Sequence, residues 1–193
     1  MKIIGITGTL ASGKTSVRDF FLSRFSSYFI SLSDIIREEL LKEGKELKRE
    51  NFIEKGNELR RRYGAHILVE VATIILPREI EKEIVIIDGI RNPKEVEYLR
   101  EKFGKDFILL AVDAPREIRF KRLLERRKEG DPKSFEEFLE IDETDIGKGQ
   151  PDYGQKVGEC LKLADYLIIN DESVEKLNEK LEKIAMLILS PSQ

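Results

Sequence analysis

The stretch Gly8-Thr9-Leu10-Ala11-Ser12-Gly13-Lys14-Thr15 has residue types and spacing suited to one chemistry, the holding of a polyphosphate. Gly, four residues, Gly, Lys, then Ser or Thr is the pattern of a phosphate-binding loop. Gly8 and Gly13 allow backbone angles that a Cβ would block, so the chain can curl round an anion. The curl turns successive N–H groups inward, through Ala11 and Ser12, as a cationic nest. A helix starting at Lys14 adds the positive end of its dipole. Lys14 is spaced to reach the β- and γ-phosphates, and the Thr15 hydroxyl to ligate Mg²⁺, with Ser16 beside it on the same turn. ATP and Mg²⁺ are therefore the expected cofactors.

A second signal is Asp88, which ends the apolar run Glu83-Ile84-Val85-Ile86-Ile87. Phosphate-loop enzymes place a Mg²⁺-supporting carboxylate at such a strand end; a turn-forming Asp before Gly89 is the plainer alternative. The third signal is a pattern of arginines. Arg37 follows Asp34 by three residues, and Arg91 follows Asp88 by three. Arg60, Arg61 and Arg62 precede Gly64, and Arg61 is taken as the member facing substrate. Arg119, Arg122 and Arg126 share one helical face. Guanidinium groups suit bidentate phosphate recognition, although a solvated face accounts for many arginines in a chain that is 37% charged. Asp34 is either a proton acceptor for a hydroxyl substrate or a helix cap. His66 is the sole histidine, which leaves a metal site built on imidazoles without support.

The elements that must position these groups follow from periodicity. Lys2–Thr7 reads as a strand, and Val17, Phe20 and Phe21 mark the helix after the loop. Tyr28–Leu32 is a candidate strand. A helix capped by Ser33 or Asp34 carries Ile35, Ile36, Leu40 and Leu41 to Gly44. Lys45–Arg62, highly charged, should form a surface helix. Ala65, Leu68, Val69, Ala72, Ile75 and Leu76 mark a core helix ending at Pro77. Asn92-Pro93-Lys94-Glu95 is a capping box. Phe107–Val112 is a buried strand, Asp113 and Pro115 open the arginine-bearing helix, and Ser134-Phe135-Glu136-Glu137 starts another. The segment 147–158 looks loose, Tyr166–Ile169 is the last strand, and the final helix carries Leu177, Leu181, Ala185 and Ile188. Apolar strands alternating with helices imply a parallel α/β sheet with ligands at the carboxyl ends of its strands.

Composition narrows the class. The 193 residues suit one α/β domain. Cys160 is the one cysteine, so neither a disulfide framework nor a thiolate zinc site is expected, and a cytoplasmic setting follows. No apolar run approaches a membrane span, and the early strand leaves no room for a signal peptide. A net charge of −3 gives no general pull toward nucleic acid or membrane. High Lys and Glu content with glutamine only at 150, 155 and 193 resembles a hyperthermophile bias.

Taken together, Gly8-x4-Gly13-Lys14-Thr15, Ser33-Asp34-x-x-Arg37, Asp88-Gly89-Ile90-Arg91, the arginines at 116–127 and Ala164-Asp165-Tyr166-Leu167-Ile168-Ile169-Asn170 resemble the nucleoside monophosphate kinases. The archaeal adenylate-kinase-related proteins are most similar, and dephospho-CoA kinase more distantly so. The resemblance implies a three-layer α/β/α P-loop fold with a five-stranded parallel sheet in the order 2-3-1-4-5. It implies a core of residues 1–33, 80–125 and 160–193, an acceptor-binding insertion over 34–79 and a short lid over 126–158. In that scheme Lys14 and Thr15 serve ATP and Mg²⁺, Arg37 and Arg91 grip the acceptor phosphate, Arg119 and Arg122 come from the lid side as catalytic groups, and Asn170 lies near the donor adenine. The segment Asp-Gly-Ile-Arg departs from the Asp-Gly-Phe-Pro-Arg of adenylate kinases proper, so the acceptor stays open among nucleoside monophosphates and dephospho-CoA. No Asn-Lys-x-Asp stretch or Leu-Ser-Gly-Gly-type signature supports a GTPase or a transporter ATPase. A non-catalytic ATP- or AMP-binding regulator remains the alternative outside enzymes. The expected partner is a small-molecule nucleotide, with no membrane, no nucleic acid, and a monomeric or homodimeric state.

Overall fold

The computed structural model describes residues 1–77, 81–128 and 130–189. Five strands, β1 (Lys2–Gly8), β2 (Ser27–Ser31), β3 (Ile84–Asp88), β4 (Phe107–Asp113) and β5 (Tyr166–Ile169), pair in parallel in the order β2-β3-β1-β4-β5. This is the expected order. The carboxyl ends of β1 and β3, with Gly8 and Asp88, therefore open on the same edge as Ser31 and Asp113.

Helices cover both faces, which is why β1, β3 and β4 are apolar on both sides. On one face, α1 (Lys14–Arg24) and α9 (Val174–Leu189) bury Val17, Phe20, Phe21, Leu177, Leu181, Ala185 and Ile188 against the sheet. On the other, α2 (Leu32–Lys42), α4 (Ile67–Ile74), α5 (Pro93–Phe103) and α8 (Val157–Leu163) surround Ile3, Val85, Ile87 and Leu109. Each fully buried side chain of this kind contributes about 1.5–3 kcal/mol. The remaining helices are α3 (Arg49–Tyr63), α6 (Arg116–Arg126) and α7 (Phe135–Ile146). Phe138 of α7 is fully buried, and Phe135, Phe138 and Phe120 of α6 pack ring against ring.

The capping box at Asn92 forms as its spacing implies: the Asn92 side chain accepts from Lys94 N, and Glu95 returns to Asn92 N. Other expectations need correction. The second helix starts at Leu32, with Ser31 in the cap position, so Ser33 and Asp34 lie inside its first turn. Ile75 is half exposed just past the end of α4, so the apolar spacing through Ile75 and Leu76 outruns the helix. The charged helix α3 is not wholly superficial: Lys55 sinks between Glu43 and Glu58, and Arg60 is buried on Glu95. Ionic pairing is what makes that burial affordable.

Candidate active site

The loop between β1 and α1 is held from outside. A Cβ on Gly8 would come within 2.2 Å of the Val112 carbonyl, and one on Gly13 (φ +103°) within 2.2 Å of the Asn170 amide. Gly8 is required for space against a backbone carbonyl, and Gly13 chiefly for its left-handed backbone angle. The loop carbonyls are then taken in turn. Lys14 Nζ donates to Gly8 O and Thr9 O, each at 2.8 Å. Arg119 Nη1 donates to Leu10 O at 3.3 Å. Arg122 Nη1 donates to Ser12 O at 3.2 Å, and Asn170 Nδ2 donates to the same oxygen at 2.8 Å. Arg122 Nη2 completes the clasp on Asn170 O at 2.8 Å. With these carbonyls claimed by side-chain donors, by Lys14 of the loop and by Arg119, Arg122 and Asn170 from outside it, the loop's amide dipoles are left to an anion.

Lys14 is crowded. Its amine is pulled down to about 8, first by burial and next by the charge of Arg91. Asp88 faces it from the end of β3, paired in register with Ile6 and Ser31. Burial raises its carboxyl above the usual range, against the pull of Lys14, Arg18 and Arg91. Its Oδ1 is buried with no protein partner. Thr15 and Ser16 are exposed on the first turn of α1. An orphaned carboxylate oxygen at the end of β3 and exposed hydroxyls on the first turn of α1 are the donor types that suit a hard divalent ion completed by phosphate oxygens. Among the described residues no cluster of three acidic, histidine or cysteine side chains offers a self-contained metal site.

A second cationic group lies across the cleft. Arg91 is half-buried, its pKa lowered by desolvation, and it donates to Gln155 Oε1 at 3.0 Å. Its own N–H meets Glu95 Oε2 at 2.7 Å. Arg60 Nη2 pairs with Glu95 Oε1 at 2.8 Å, and Arg49 Nη2 pairs with Asp145 Oδ2 at 2.6 Å. The charges of Arg49, Arg60, Asp88 and Asp145 all act on Arg91, and those of Asp88, Asp145 and Arg49 on Lys14. The segment 150–156, expected to be loose, is fastened over this group. Asn92 Nδ2 donates to Asp152 O and Gly154 O, and Lys156 N donates to Arg91 O at 2.7 Å.

The structure thus brings Gly8, Ala11, Ser12, Gly13, Lys14, Thr15, Asp88, Gly89, Arg91 and Asn170 to one edge of the sheet, and places the remaining arginines otherwise. Arg61 is exposed, and its neighbour Arg60 is the buried member of the triplet, because the α3 face is set by spacing from Gly56 and Asn57. Asp34 and Arg37 form an exposed ion pair with each other on α2, the guanidinium lying over the Phe52 ring. Arg119 spends one N–H on Ala114 O, one on Leu10 O and two on Asp142, so a phosphoryl group would have to compete with a buried carboxylate. Arg122 is committed to loop carbonyls and Asn170. In this arrangement both arginines brace the loop rather than face the cleft.

Sequence reasoning passes over Arg49, Asn57, Asp142, Asp145 and Gln155 as site residues, and within the 60–62 triplet it picks Arg61 rather than Arg60. A weak signal exists: 49, 57 and 60 share a helical face, as do 142 and 145.

The strand order and the clasped loop define a P-loop kinase-like, nucleotide-binding fold. A shikimate kinase from Bacteroides thetaiotaomicron superposes at a TM-score of 0.55 over 97% of this chain and 98% of its own, at 18% identity. A gluconokinase from Sinorhizobium meliloti 1021 does so at 0.55 over 100% and 98%, at 14% identity. At such identities the fold is what is shared. The chain belongs to the UPF0200 family, and its residues 4–146 match the AAA domain family. The UPF0200 protein of Pyrococcus horikoshii is 36% identical over 191 residues, covering 97% of this chain and 98% of its own. That of Methanocaldococcus jannaschii is 31% identical over 191 residues, covering 98% and 92%. Among the described residues no helix is long and apolar enough to cross a membrane.

Proposed function

We propose that this protein is an ATP- and Mg²⁺-dependent phosphotransferase of the adenylate-kinase-related type, with a nucleoside monophosphate or related nucleotide as acceptor. One observation carries the reading: the charges of Arg91 and the loop's Lys14 both act on Asp88 at the end of β3, and that of Arg91 acts on Lys14, so two cations stand ready for anionic groups at one end of the sheet. A loop that holds a triphosphate explains Lys14; a second phosphorylated molecule explains Arg91.

The γ-phosphoryl group leaves the β,γ-bridging oxygen of ATP, which departs with the bond pair as ADP, and bonds to an acceptor phosphate oxygen. Such a transfer depends on alignment and charge neutralisation. Lys14 follows the charge as it moves from γ-phosphoryl to leaving oxygen. Arg91 holds the acceptor phosphate in line, with Gln155 fixing its plane. Asp88 and Thr15 would hold Mg²⁺, which would supply charge neutralisation when bound. Asn170 and Arg122 keep the loop shaped and border the donor base. Residues 34–79 form the acceptor side and 126–158 the covering lid.

A hydroxyl kinase with Asp34 as base is the weaker reading, because Asp34 is exposed and tied to Arg37 at the start of α2. The deciding experiment incubates the protein with Mg·ATP and a panel of nucleoside monophosphates plus dephospho-CoA, following ADP release and product. Formation of a nucleoside diphosphate supports the proposal. Turnover with dephospho-CoA alone selects the hydroxyl kinase. Nucleotide binding with no transfer selects the regulatory protein.

A further inference from the structure

An apolar groove of about 330 Å³ lies open between the last turns of α1 and α9, lined by Phe20, Arg24, Phe25, Ala185, Met186 and Leu189. The Arg24 guanidinium sits over the Phe20 ring, 4.2 Å from its centroid, and pairs with Glu182 at 3.3 Å, so an ionic rim borders an apolar floor. Met186 is 69% exposed at its edge. A recess of this make suits a protein contact in which one large side chain of the partner is buried.

The sheet fixes where the groove lies. The five strands are parallel, and α1 and α9 each follow a strand, so both run back toward the amino edge of the sheet. Their last turns lie there, as does Lys2 at the start of β1. Ten residues of α1 put about 15 Å between Lys14 and Arg24. Polypeptide joined before Lys2 or after Leu189 therefore emerges on the edge that holds the groove. A partner seated in it leaves the phosphate loop and the cleft open.

One relative carries such an addition. The UPF0200 proteins of Pyrococcus horikoshii and Methanocaldococcus jannaschii are matched over 98% and 92% of their length. A protein of Archaeoglobus fulgidus is 33% identical over 190 residues, which cover 96% of this chain but 55% of its own, and it bears the double name UPF0200/UPF0201. Its unmatched part has room for a second unit, and the second name says of which family. Joining two units holds them at an effective concentration of roughly millimolar, which is of use where they work in contact. Chains without the second unit must meet it through a surface, and the groove lies on the edge where the joint would fall.

We propose that the α1–α9 groove docks a UPF0201 protein, which seats an apolar side chain on Phe20, Phe25 and Met186 and places polar groups on the Arg24–Glu182 rim. The proposal stands apart from the kinase reading, since the groove shares no residue with the cleft.

The test titrates this protein with a free-standing UPF0201 protein by calorimetry. A Kd of roughly 10 μM or below is expected. Met186→Asp should weaken binding at least tenfold, and Met186→Leu should keep it within about twofold. Ile74→Asp, at a residue 70% exposed on the opposite face of the sheet, should also keep it within about twofold. ATP affinity and thermal melting should be the same in all three variants, which separates loss of the contact from loss of the fold. Absence of binding with both proteins at roughly 100 μM overturns the proposal. So does a Met186→Asp variant that binds as the wild-type protein does, or an equal loss in Ile74→Asp. If the protein alone is a dimer that Met186→Asp dissociates, the groove belongs to a second copy and the proposal falls.

Discussion

The two sides of the cleft are built on opposite rules. On the donor side every carbonyl from Gly8 to Ser12 is within reach of a side-chain donor, and the bracing groups, Arg119, Arg122 and Asn170, come from outside the loop. On the acceptor side α3 and α7 leave buried donors and acceptors unpaired. A finished cradle accepts one kind of group, a chain of phosphates, whatever else is attached. Buried groups left unpaired instead cost about 1–3 kcal/mol each, so that region holds a less settled packing than the cradle.

The strongest way to break this contrast is at Lys14. Lys14→Met should reduce phosphoryl transfer to all acceptors by about 10³-fold, the scale for removing a transition-state cation from a shielded site; ADP release measures it, and near-normal turnover would refute the scheme. Next in size is Asp142→Ala. It strands the buried Arg119 guanidinium, which should cost about 3–5 kcal/mol in a denaturant melt. A loss below about 1 kcal/mol would mean the bracing is incidental. Asn170→Ala should cost less, about 1–3 kcal/mol, with weaker ATP binding and unchanged acceptor ranking.

A pH experiment sharpens the donor side. The folded-state value of Lys14, about 8, lies below the ordinary 10.5. Between those values the unfolded chain holds more protons at Lys14 than the folded one, so this group's contribution to stability rises with pH across that window. ATP brings negative charge and favours the protonated amine. Binding near pH 8 should take up part of a proton, and near pH 6 none, as read by calorimetry in buffers of different ionisation heat. Equal uptake in Lys14→Met would assign the effect elsewhere. The smallest expected change is at Asp34→Asn, which should leave turnover within about twofold; a loss of 100-fold would restore Asp34 as a base.

The donor side is legible in the sequence because its information is contiguous. Loop, following helix and the strand ending in Asp88 each announce themselves over a few neighbouring residues, and apolar runs between helical stripes dictate the parallel sheet. The acceptor side is not, because its members are single polar residues from 49 to 155 that mean something only once α3, α7 and the 150–156 segment meet. Arg60 and Arg61 are indistinguishable in the chain; the packing of Gly56 against Ile36 turns one inward and the other out. Asp142 and Asp145 look like solvated acids on an acidic helix until Arg119 and Arg49 are placed opposite them.

Asp142 grips Arg119, and Arg119 in turn props the Leu10 carbonyl. An outward swing of α7 must either strip a counter-ion from a buried guanidinium or drag the rim of the phosphate cradle along. If the protein is the proposed kinase, unlatching and unloading are geared together: spent donor would leave through a mouth that loosens as the cover lifts, and a fresh molecule that tightens the rim would also pull the cover down.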